Sequence, residues 1–278
     1  MLAGHDRLRI VAGGTDLVVA ARSGKAPLPE RLIAIHRLTE LSGLDADAGG
    51  GLRIGALTTH GDLEASPLVT QTWTALSDAS ALVGSPATRH VGTVGGNVCN
   101  ASPAMELGSP LLIFEAGVEL ASAGGIRRVP FSSFVTGPGR TSGQPGELMT
   151  AVVLPPLPGP GRVGSAYIRL EYRQAMEIAI VGVATLVRLD DADRCIDVRV
   201  GLTAVAATCV RASETEEMLT GKAIDTALLE RAARAAAGSA RPIDDVRASA
   251  DYRRAMVPVL VRRALSRAFD RARPGRSN

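Results

Sequence analysis

Residues 12–17 read Ala12-Gly13-Gly14-Thr15-Asp16-Leu17 and follow a predicted strand over residues 8–11. An apolar-periodic segment after them predicts a helix that ends near residue 22. Two adjacent glycines allow the backbone to approach a ligand closely and leave N–H groups free to point at an anion. Thr15 adds a hydroxyl donor, whereas the charge of Asp16 would repel phosphate, so we expect Asp16 to cap the helix or order the turn. This first glycine segment predicts a phosphate-binding turn, with an ordinary strand-to-helix turn as the alternative.

A second glycine segment, Thr93-Val94-Gly95-Gly96-Asn97, is followed by Asn100 and Ser102. No regular hydrophobic period runs through it, so we expect a loop that offers backbone, hydroxyl and amide donors. Such a backbone nest carries partial positive charge without lysine side chains, and the chain has only two lysines. Two cradles of this kind suit one ligand with two phosphates and polar substituents. The alternative for this segment is a β-bulge or a tight loop that binds nothing.

A literal GxGxxG motif at residues 159–164 is rejected as a dinucleotide site. Prolines flank it, and it lacks the strand before it and the helix after it that such a site needs. Residues 155–164 contain four prolines and three glycines, which predicts a linker. Val- and Ile-rich runs that follow predict strands, and helical patterns come after them. Strands followed by helices indicate an α+β layer.

Cysteine and histidine usage argues against a metal site in this chain. The three cysteines form no CxxC pair and cannot supply the four thiolates of an iron–sulfur cluster: Cys99, Cys195 and Cys209. Four isolated histidines are expected at the surface or in loops: His5, His36, His60 and His90. An odd number of widely spaced cysteines indicates reduced thiols and predicts a cytoplasmic protein.

The hydropathy and charge patterns argue against two classes of partner, membranes and nucleic acids. No apolar run reaches the ~18 residues of a membrane span, and the start shows no signal-peptide pattern. The net charge is +3, with arginines crowded near the C-terminal end: Arg247, Arg253, Arg254, Arg262, Arg263, Arg267, Arg271, Arg273 and Arg276. We interpret them as the solvated face of a final helix rather than as a nucleic-acid arm, because no aromatic residues are interleaved to stack on bases.

Together, the two glycine segments resemble the FAD-binding medium subunits of molybdenum hydroxylases, the group of carbon monoxide, nicotine and xanthine dehydrogenases. That family has an AGGTDL-like first loop and a T-(I/V)-GGN second loop that ends in proline, here Pro103. Four further segments match in order, at residues 27–35, 52–59, 179–184 and 244–253. The resemblance covers nearly the whole chain. Members carry about one more helix and strand before the first loop than this sequence does.

The resemblance implies an α+β fold of two domains. A two-lobed FAD-binding domain of the PCMH (vanillyl-alcohol oxidase-like) type would span residues 1–158, with lobes of about 1–48 and 49–158. A CO dehydrogenase flavoprotein C-terminal-like domain would span residues 164–278. FAD would lie in the cleft between them, a common place for a ligand.

The resemblance also implies which residues bind FAD. The two segments would hold its pyrophosphate and the neighbouring ribityl and ribose groups: Ala12, Gly13, Gly14, Thr15, Asp16, Leu17, Thr93, Val94, Gly95, Gly96, Asn97, Asn100 and Ser102. Glu106 stands where the family usually has the shorter aspartate, and would accept hydrogen bonds from sugar hydroxyls. Val83 would lie near the cofactor and Leu148 near the flavin ring. Arg169 matches a basic position close to the flavin.

The implied function is electron transfer within an oxidoreductase complex. The chain would take electrons from [2Fe-2S] clusters of a small partner subunit, which receive them from a molybdopterin cofactor in a large subunit. It would pass them to an external acceptor, in a dimer of heterotrimers. No catalytic residues are expected, since HExxH and GxSxG are absent. A stand-alone flavin-dependent oxidoreductase of the same fold and a non-enzymatic binding module are the alternatives.

Overall fold

The computed structural model describes residues 8–157 and 159–273. His5, Arg276 and Pro158 lie outside the described residues, and Pro158 is part of the expected linker. Within them, no helix is long and apolar enough to cross a membrane. The described residues also contain no group of three or more histidine, cysteine or acidic side chains that could hold a metal ion.

The first lobe is a small parallel β–α–β unit. Strand β1 (Leu8–Val11) and strand β2 (Arg31–Ala34) pair in parallel, with helix α1 (Thr15–Arg22) between them. A 3₁₀ turn at Thr39–Leu41 follows. The predicted strand, turn and helix around the first glycine segment are therefore confirmed.

The second lobe is built on an antiparallel sheet of five strands in the order β3-β4-β9-β5-β6. Its strands, with a two-stranded hairpin of β7 and β8, are β3 (Leu44–Ala46), β4 (Leu52–Gly55), β5 (Gly117–Ser122), β6 (Gly125–Pro130), β7 (Val135–Gly137), β8 (Arg140–Thr141) and β9 (Leu148–Leu154). Short helices cover the sheet: α2 (His60–Ala65), α3 (Pro67–Thr72), α4 (Thr74–Ser80), α5 (Pro86–Arg89), α6 (Val94–Asn100), α7 (Gly108–Ile113) and α8 (Phe131–Phe134).

The periodicity over residues 68–82 predicts one long helix, but the structure contains two. The break is at Trp73, whose backbone leaves the helical region at φ −109° and ψ 46°. Its indole is buried and meets Phe114 edge-on at 5.0 Å. An aromatic ring that is fully buried in an edge-on pair stabilises the packing enough to offset one broken turn of helix.

The C-terminal domain is an antiparallel sheet covered by helices, as the α+β prediction states. The sheet order is β10 (Arg162–Leu170), β11 (Val181–Leu189), β12 (Cys195–Thr203) and β13 (Val210–Arg211). Helices α9 (Ser213–Leu219) and α10 (Thr226–Ala235) precede α11 (Ala250–Ala272). The spacing of five apolar residues predicts a buried stripe on α11, and the helix packs it against this sheet: Val257, Leu260, Val261, Leu265 and Phe269.

The expected linker is shorter than predicted, because strand β10 already begins at Arg162. Arg162 pairs with Leu189 and Gly164 with Val187 of β11. A Cβ on Gly164 would overlap the Ala268 carbonyl oxygen of α11. The last glycine of the GxGxxG motif therefore permits helix–sheet packing, which is consistent with rejecting a dinucleotide site there.

Polar contacts join the C-terminal domain to α4 of the second lobe. Arg271 donates to both carboxylate oxygens of Asp78 (2.6 and 2.9 Å), and Arg267 adds a third bond. The Asp78 carboxylate also accepts from the Tyr167 backbone N–H of β10 (3.0 Å). The expectation of a solvated arginine face is wrong for Arg271, which is part-buried in this contact, whereas Arg267 is exposed as expected. It is also wrong for Arg253, which is 3% exposed and pairs with Asp245 (2.6 Å).

Candidate functional site

The first glycine segment turns sharply from β1 into α1. Gly14 is the N-cap of α1 and has a left-handed φ of 70°, a conformation that favours glycine. A Cβ on Gly13 would overlap the Val91 carbonyl oxygen, so this position needs glycine for close approach. Side chains of Ala12, Thr15 and Leu17 are half-buried. The segment therefore presents mostly backbone at the point where it meets residues 91–92.

Asp16 does not cap α1, so the first of its two expected roles is wrong. Gly14 is the N-cap residue, without a side-chain hydrogen bond, and Asp16 is the second residue of the helix. Its side chain is at the surface, yet the surrounding protein removes enough water to raise the pKa of the carboxyl group. An acidic group in the first turn interacts favourably with the helix dipole without capping it.

The second glycine segment forms the start of helix α6 rather than the expected loop. Thr93 is its N-cap and accepts a hydrogen bond from the Gly96 N–H (3.1 Å). Val94 and Val98, one helical turn apart, are fully buried in the core of the lobe. The cap and this buried pair outweigh the poor helix propensity of Gly-Gly-Asn.

Gly95 and Gly96 have different surroundings within α6. The Gly95 N–H donates to the Ala56 carbonyl (2.8 Å), and a Cβ at Gly95 would lie 2.8 Å from that oxygen. Gly96 is exposed at the surface of the first turn. Gly95 therefore serves packing inside the lobe, whereas Gly96 leaves the surface of α6 open to a ligand.

The structure brings the two glycine segments together through residues 59–60 and 91–93. Thr59 and Thr93 form an antiparallel bridge, and the His60 N–H donates to the Gly92 carbonyl (3.1 Å). The Thr15 hydroxyl lies 3.8 Å from the point that a Cβ on Gly92 would occupy. The prediction that both segments serve one site is therefore consistent with the geometry.

Two buried polar atoms close to this junction have no hydrogen-bond partner among the described residues. They are Oδ1 of Asn97, in α6, and Nδ1 of His60, in α2. Buried polar atoms are nearly always paired with protein, water or ligand. The groups that the junction leaves open are the Gly96 backbone and the exposed Asn100 amide, and such groups fit a ligand rich in hydroxyl and phosphate oxygens, as FAD is.

The end of α6 holds two more of the predicted residues. Asn100 is exposed in its last turn, which ends at Ala101 with a left-handed φ of 49°. The Ser102 hydroxyl accepts from the Ala104 N–H (3.2 Å), so it orders the following turn. Asn100 is free to face a ligand, while Ser102 already has a protein partner.

Leu148 and Val83 differ in what they contact. Leu148 packs with Ala12 on a small apolar cluster of Ile35, Leu41 and Leu57, which places it beside the first glycine segment. Val83 lies in the turn after α4, where its carbonyl accepts from Arg89 (3.3 Å). Only Leu148 is tied to the first segment by shared packing.

Glu106 and Arg169 form a buried ion pair between the two domains. The Glu106 carboxylate accepts from the Arg169 guanidinium and from the Tyr167 hydroxyl (2.7 Å). Arg169 also pairs with Glu171. Burial raises the pKa of Glu106, although Arg169 and Tyr167 partly offset this effect. Both oxygens of Glu106 have protein partners, so its assignment to a sugar hydroxyl and that of Arg169 to the flavin stay predictions.

His60 is the residue near this site that sequence reasoning missed, because the expectation placed it at the surface. Its side chain is 2% exposed, whereas His36 and His90 are exposed as predicted. Burial, and then the charge of Arg89, lower its pKa to about 4. The available signal was its position directly after Thr58-Thr59, since either threonine could cap a short helix; in the structure Thr59 is the cap, with a capping box.

The described cysteines are poor nucleophiles. Burial of the thiol raises the pKa of Cys99 to about 11. The thiol donates to Met149 Sδ (3.5 Å), although the residue as a whole is exposed. Burial raises the pKa of Cys195 and of Cys209 to about 12. A thiol with a raised pKa is a weak nucleophile, so these groups do not support covalent flavin attachment.

Comparison with known proteins gives matches along the whole chain. The model of the FAD binding domain in molybdopterin dehydrogenase matches residues 1–157, and the CO dehydrogenase flavoprotein C-terminal domain matches residues 166–268. The xanthine dehydrogenase FAD-binding subunit of Escherichia coli O157:H7 is 30% identical, over 96% of this chain and 91% of that protein. The carbon monoxide dehydrogenase medium chain of Afipia carboxidovorans is 32% identical, over 95% of this chain and 90% of its own length.

Solved structures agree with these matches. A chain of carbon monoxide dehydrogenase from Hydrogenophaga pseudoflava superposes with a TM-score of 0.90 at 32% identity, covering 96% of this chain and 91% of the other. A chain of quinoline 2-oxidoreductase from Pseudomonas putida 86 gives a TM-score of 0.87 at 26% identity, covering 96% and 90%. Sequence and architecture therefore point to one family.

Proposed function

The chain belongs to the FAD-binding subunits of molybdopterin-dependent dehydrogenases, and we propose that it transfers electrons through FAD from a partner subunit to an external acceptor. The observation that carries this proposal is the junction of the two glycine segments, where a Cβ on Gly13 would overlap the Val91 carbonyl oxygen and the exposed Gly96 leaves the first turn of α6 open. Bound FAD supplies the redox chemistry, because it accepts and releases electrons singly or in pairs.

The chain's own residues bind and orient the cofactor in this proposal. Backbone N–H groups at Gly13 and Gly14 face the phosphates, with the Thr15 hydroxyl beside them. Asn97 and Asn100 hydrogen-bond the polar chain between the phosphates and the ring. Asp78 and the arginines of α11 hold the C-terminal domain against the second lobe.

The electrons come from a partner in this proposal. No group of described histidine, cysteine or acidic residues could hold an iron ion. Burial raises the pKa of Cys195 and Cys209 to about 12, which disfavours the thiolate form that binds metals. Its relatives are named as a medium chain and an FAD-binding subunit, names that describe one chain of a complex. We therefore assign [2Fe-2S] clusters to a small subunit and the molybdopterin cofactor to a large one. Two such heterotrimers would form the cytoplasmic complex, with the domain boundary of this chain just before β10, which begins at Arg162.

Purification through a tag on this chain, expressed with its native partners, tests the proposal. We expect flavin absorbance and two co-eluting chains that carry iron, sulfide and molybdenum. Flavin alone, with activity and no partner, would instead support the stand-alone oxidoreductase. A chain that never binds FAD, even with every partner supplied, would support the non-enzymatic binding module.

A further inference from the structure

The segment at residues 244–253 matches the family pattern in sequence, but the proposed function gives it no role. In the structure it leads into the start of α11, where Ser249 is the N-cap and Arg253 follows four residues later. The Arg253 side chain is almost fully buried. A buried charge persists only where its surroundings pair it, so the partners of this guanidinium show what the segment holds together.

The Arg253 guanidinium binds three separate parts of the C-terminal domain. Nη1 donates to the backbone carbonyl of Ile180, directly before β11, and to that of Ala204 (3.2 Å), directly after β12. Nη2 donates to the Asp245 carboxylate (2.6 Å). The planar guanidinium carries its donors in a fixed fork, so these bonds hold the two carbonyls in place relative to each other.

Asp245 fixes the guanidinium in turn. Its Oδ1 also accepts from the backbone N–H groups of Arg247 (2.8 Å) and Ala248 (3.2 Å), in the turn before α11. The turn therefore orients the carboxylate, and the carboxylate orients Arg253. Residues 244–253 act as one unit that directs a buried cation at the ends of two neighbouring strands.

Ala204 connects Arg253 to the second glycine segment. Its N–H donates to the carbonyl of Pro103 (2.9 Å), the proline that ends that segment. Ala204 has a left-handed φ of 64°, which is unfavourable for a residue with a Cβ. Such a conformation persists only where the surroundings determine it, and here Pro103 binds the N–H while Arg253 binds the carbonyl.

Pro103 lies between two residues that are predicted to bind FAD. Asn100 precedes it and is exposed at the end of α6, and Glu106 follows it. Because Asn100 is only three residues away, a displacement of Pro103 would also move the Asn100 amide. The bond from Ala204 therefore fixes the end of the second glycine segment to the C-terminal domain.

Ile180 provides a second connection to a predicted cofactor residue. Its N–H donates to the Leu170 carbonyl (2.9 Å), at the end of β10. Leu170 directly follows Arg169, which is predicted to lie close to the flavin. Arg253 therefore supports the end of the strand that carries Arg169, as well as the end of the second glycine segment.

We propose that Arg253 is a positioning residue for the cofactor. Through Ala204 it sets the position of Asn100, and through Ile180 it sets that of Arg169, without touching FAD itself. This inference rests on the proposed function, since it concerns how the same cofactor is held.

Arg253→Met removes the guanidinium and keeps most of the side-chain length. Flavin fluorescence titration of the full chain, well below its unfolding temperature, measures FAD affinity of the folded protein. We expect FAD binding to weaken about thirtyfold, as for the loss of one bond from a charged donor. Wild-type affinity in this variant would overturn the inference.

Arg199→Met is the matched control. Arg199 is also a partly buried arginine of the C-terminal domain, pairs with Asp197 (3.0 Å) and donates to the Ile113 carbonyl of the second lobe (3.1 Å). Neither partner belongs to a glycine segment. We expect this variant to lose stability and to bind FAD as the wild type does.

Arg253→Lys separates positioning from charge. Lysine keeps a positive charge beside Asp245 but lacks the planar fork that joins the two carbonyls, so we expect FAD binding about tenfold weaker than in the wild type. Visible circular dichroism of the bound flavin should change in both Arg253 variants and stay unchanged in Arg199→Met. An Arg253→Lys variant with wild-type affinity and spectrum would show that the charge alone matters and would overturn the inference.

Hydrogen exchange of the wild-type chain still decides if Arg253→Met does not fold. Coupling is reciprocal, so a contact that favours FAD binding is itself favoured by bound FAD. We expect FAD to slow exchange of the Ala204 N–H at least about fivefold more than that of the Cys195 N–H. Cys195 begins β12 at its opposite end and donates to the Lys222 carbonyl (2.9 Å). Equal slowing at both amides would overturn the inference.

The outcomes distinguish this inference from the proposed function. A wild-type chain that fails to bind FAD in the presence of its partners overturns both. A wild-type chain that binds FAD, together with an Arg253→Met variant of equal affinity, overturns only the role of Arg253.

Discussion

The two glycine segments share a Gly-Gly pair, but different contacts require these glycines. In the first segment, Gly13 lies against residue 91, so its close approach joins two separate parts of the chain. In the second, Gly95 lies against Ala56 inside one lobe and belongs to a capped helix with a buried face. The same dipeptide thus marks a junction in one case and core packing in the other. Substitution should therefore affect ligand binding at the first segment and folding at the second.

Gly13→Ala should have the largest effect and should act on binding. The new Cβ overlaps the Val91 carbonyl and forces the two segments apart, so we expect FAD affinity to fall at least about a thousandfold, or about 4 kcal/mol. Flavin fluorescence titration measures this loss. Gly124→Ala is the matched control, because the nearest atom to its new Cβ is 3.6 Å away. A Gly13→Ala variant with normal FAD affinity would contradict the role of the junction.

The pH dependence of the free energy of unfolding should report on His60, which lies near the point where the two glycine segments meet. The folded pKa of His60 is about 4, below the value of about 6.5 expected when the chain is unfolded. The unfolded state therefore binds the proton first, and stability falls as the pH drops from about 6.5 to about 4. This one group should account for about 3 kcal/mol, or 1.4 kcal/mol for each pKa unit.

Urea unfolding of the FAD-free chain at pH 7.5 and at pH 4.5 measures this loss of stability. In His60→Asn the difference between the two pH values should shrink by about 3 kcal/mol, because asparagine does not titrate. His90→Asn provides the comparison, since His90 is exposed. Equal pH dependence in wild type and His60→Asn would show that His60 is not buried in its neutral form.

Gly95→Ala should lower the free energy of unfolding by about 2 kcal/mol, the usual range for overpacking a core. The new Cβ would lie 2.8 Å from the Ala56 oxygen, so α6 must shift. Thermal unfolding with and without FAD distinguishes the two segments. Gly95→Ala should lower the melting temperature in both conditions, whereas Gly13→Ala should mainly remove the stabilisation by FAD. A Gly95→Ala chain as stable as wild type would show that α6 can shift away from Ala56 without lowering the free energy of unfolding.

Thr93→Ala should have the smallest effect. It removes the side-chain oxygen that caps α6 and should destabilise the chain by about 1 kcal/mol. Asp225→Ala removes a side-chain cap from α10, in the C-terminal domain, and should cost a similar amount. FAD affinity measured on both variants should fall only in Thr93→Ala. If both retain full affinity, the start of α6 does not contribute to binding.

The sequence was informative where hydrophobic pattern and turn chemistry agree. It predicts β1, α1 and the long strands of the C-terminal domain, because Val and Ile runs match the buried faces of β11 and β12. It also finds both glycine segments and the family they resemble. It fails at α6, where a cap and two buried valines override weak local propensity. It also fails at Trp73, His60 and Arg253, since tertiary packing decides how each of them is buried.

The contact between Asp78 and Arg271 has a consequence for how this protein is made. The two residues are 193 positions apart, yet they fix the C-terminal helix to the second lobe. A contact of such long range closes only after nearly the whole described chain has left the ribosome, and long-range contacts slow folding. The two glycine segments can meet much earlier, because both precede the C-terminal domain. During synthesis, the junction of the two glycine segments can therefore form first, and the C-terminal domain docks last.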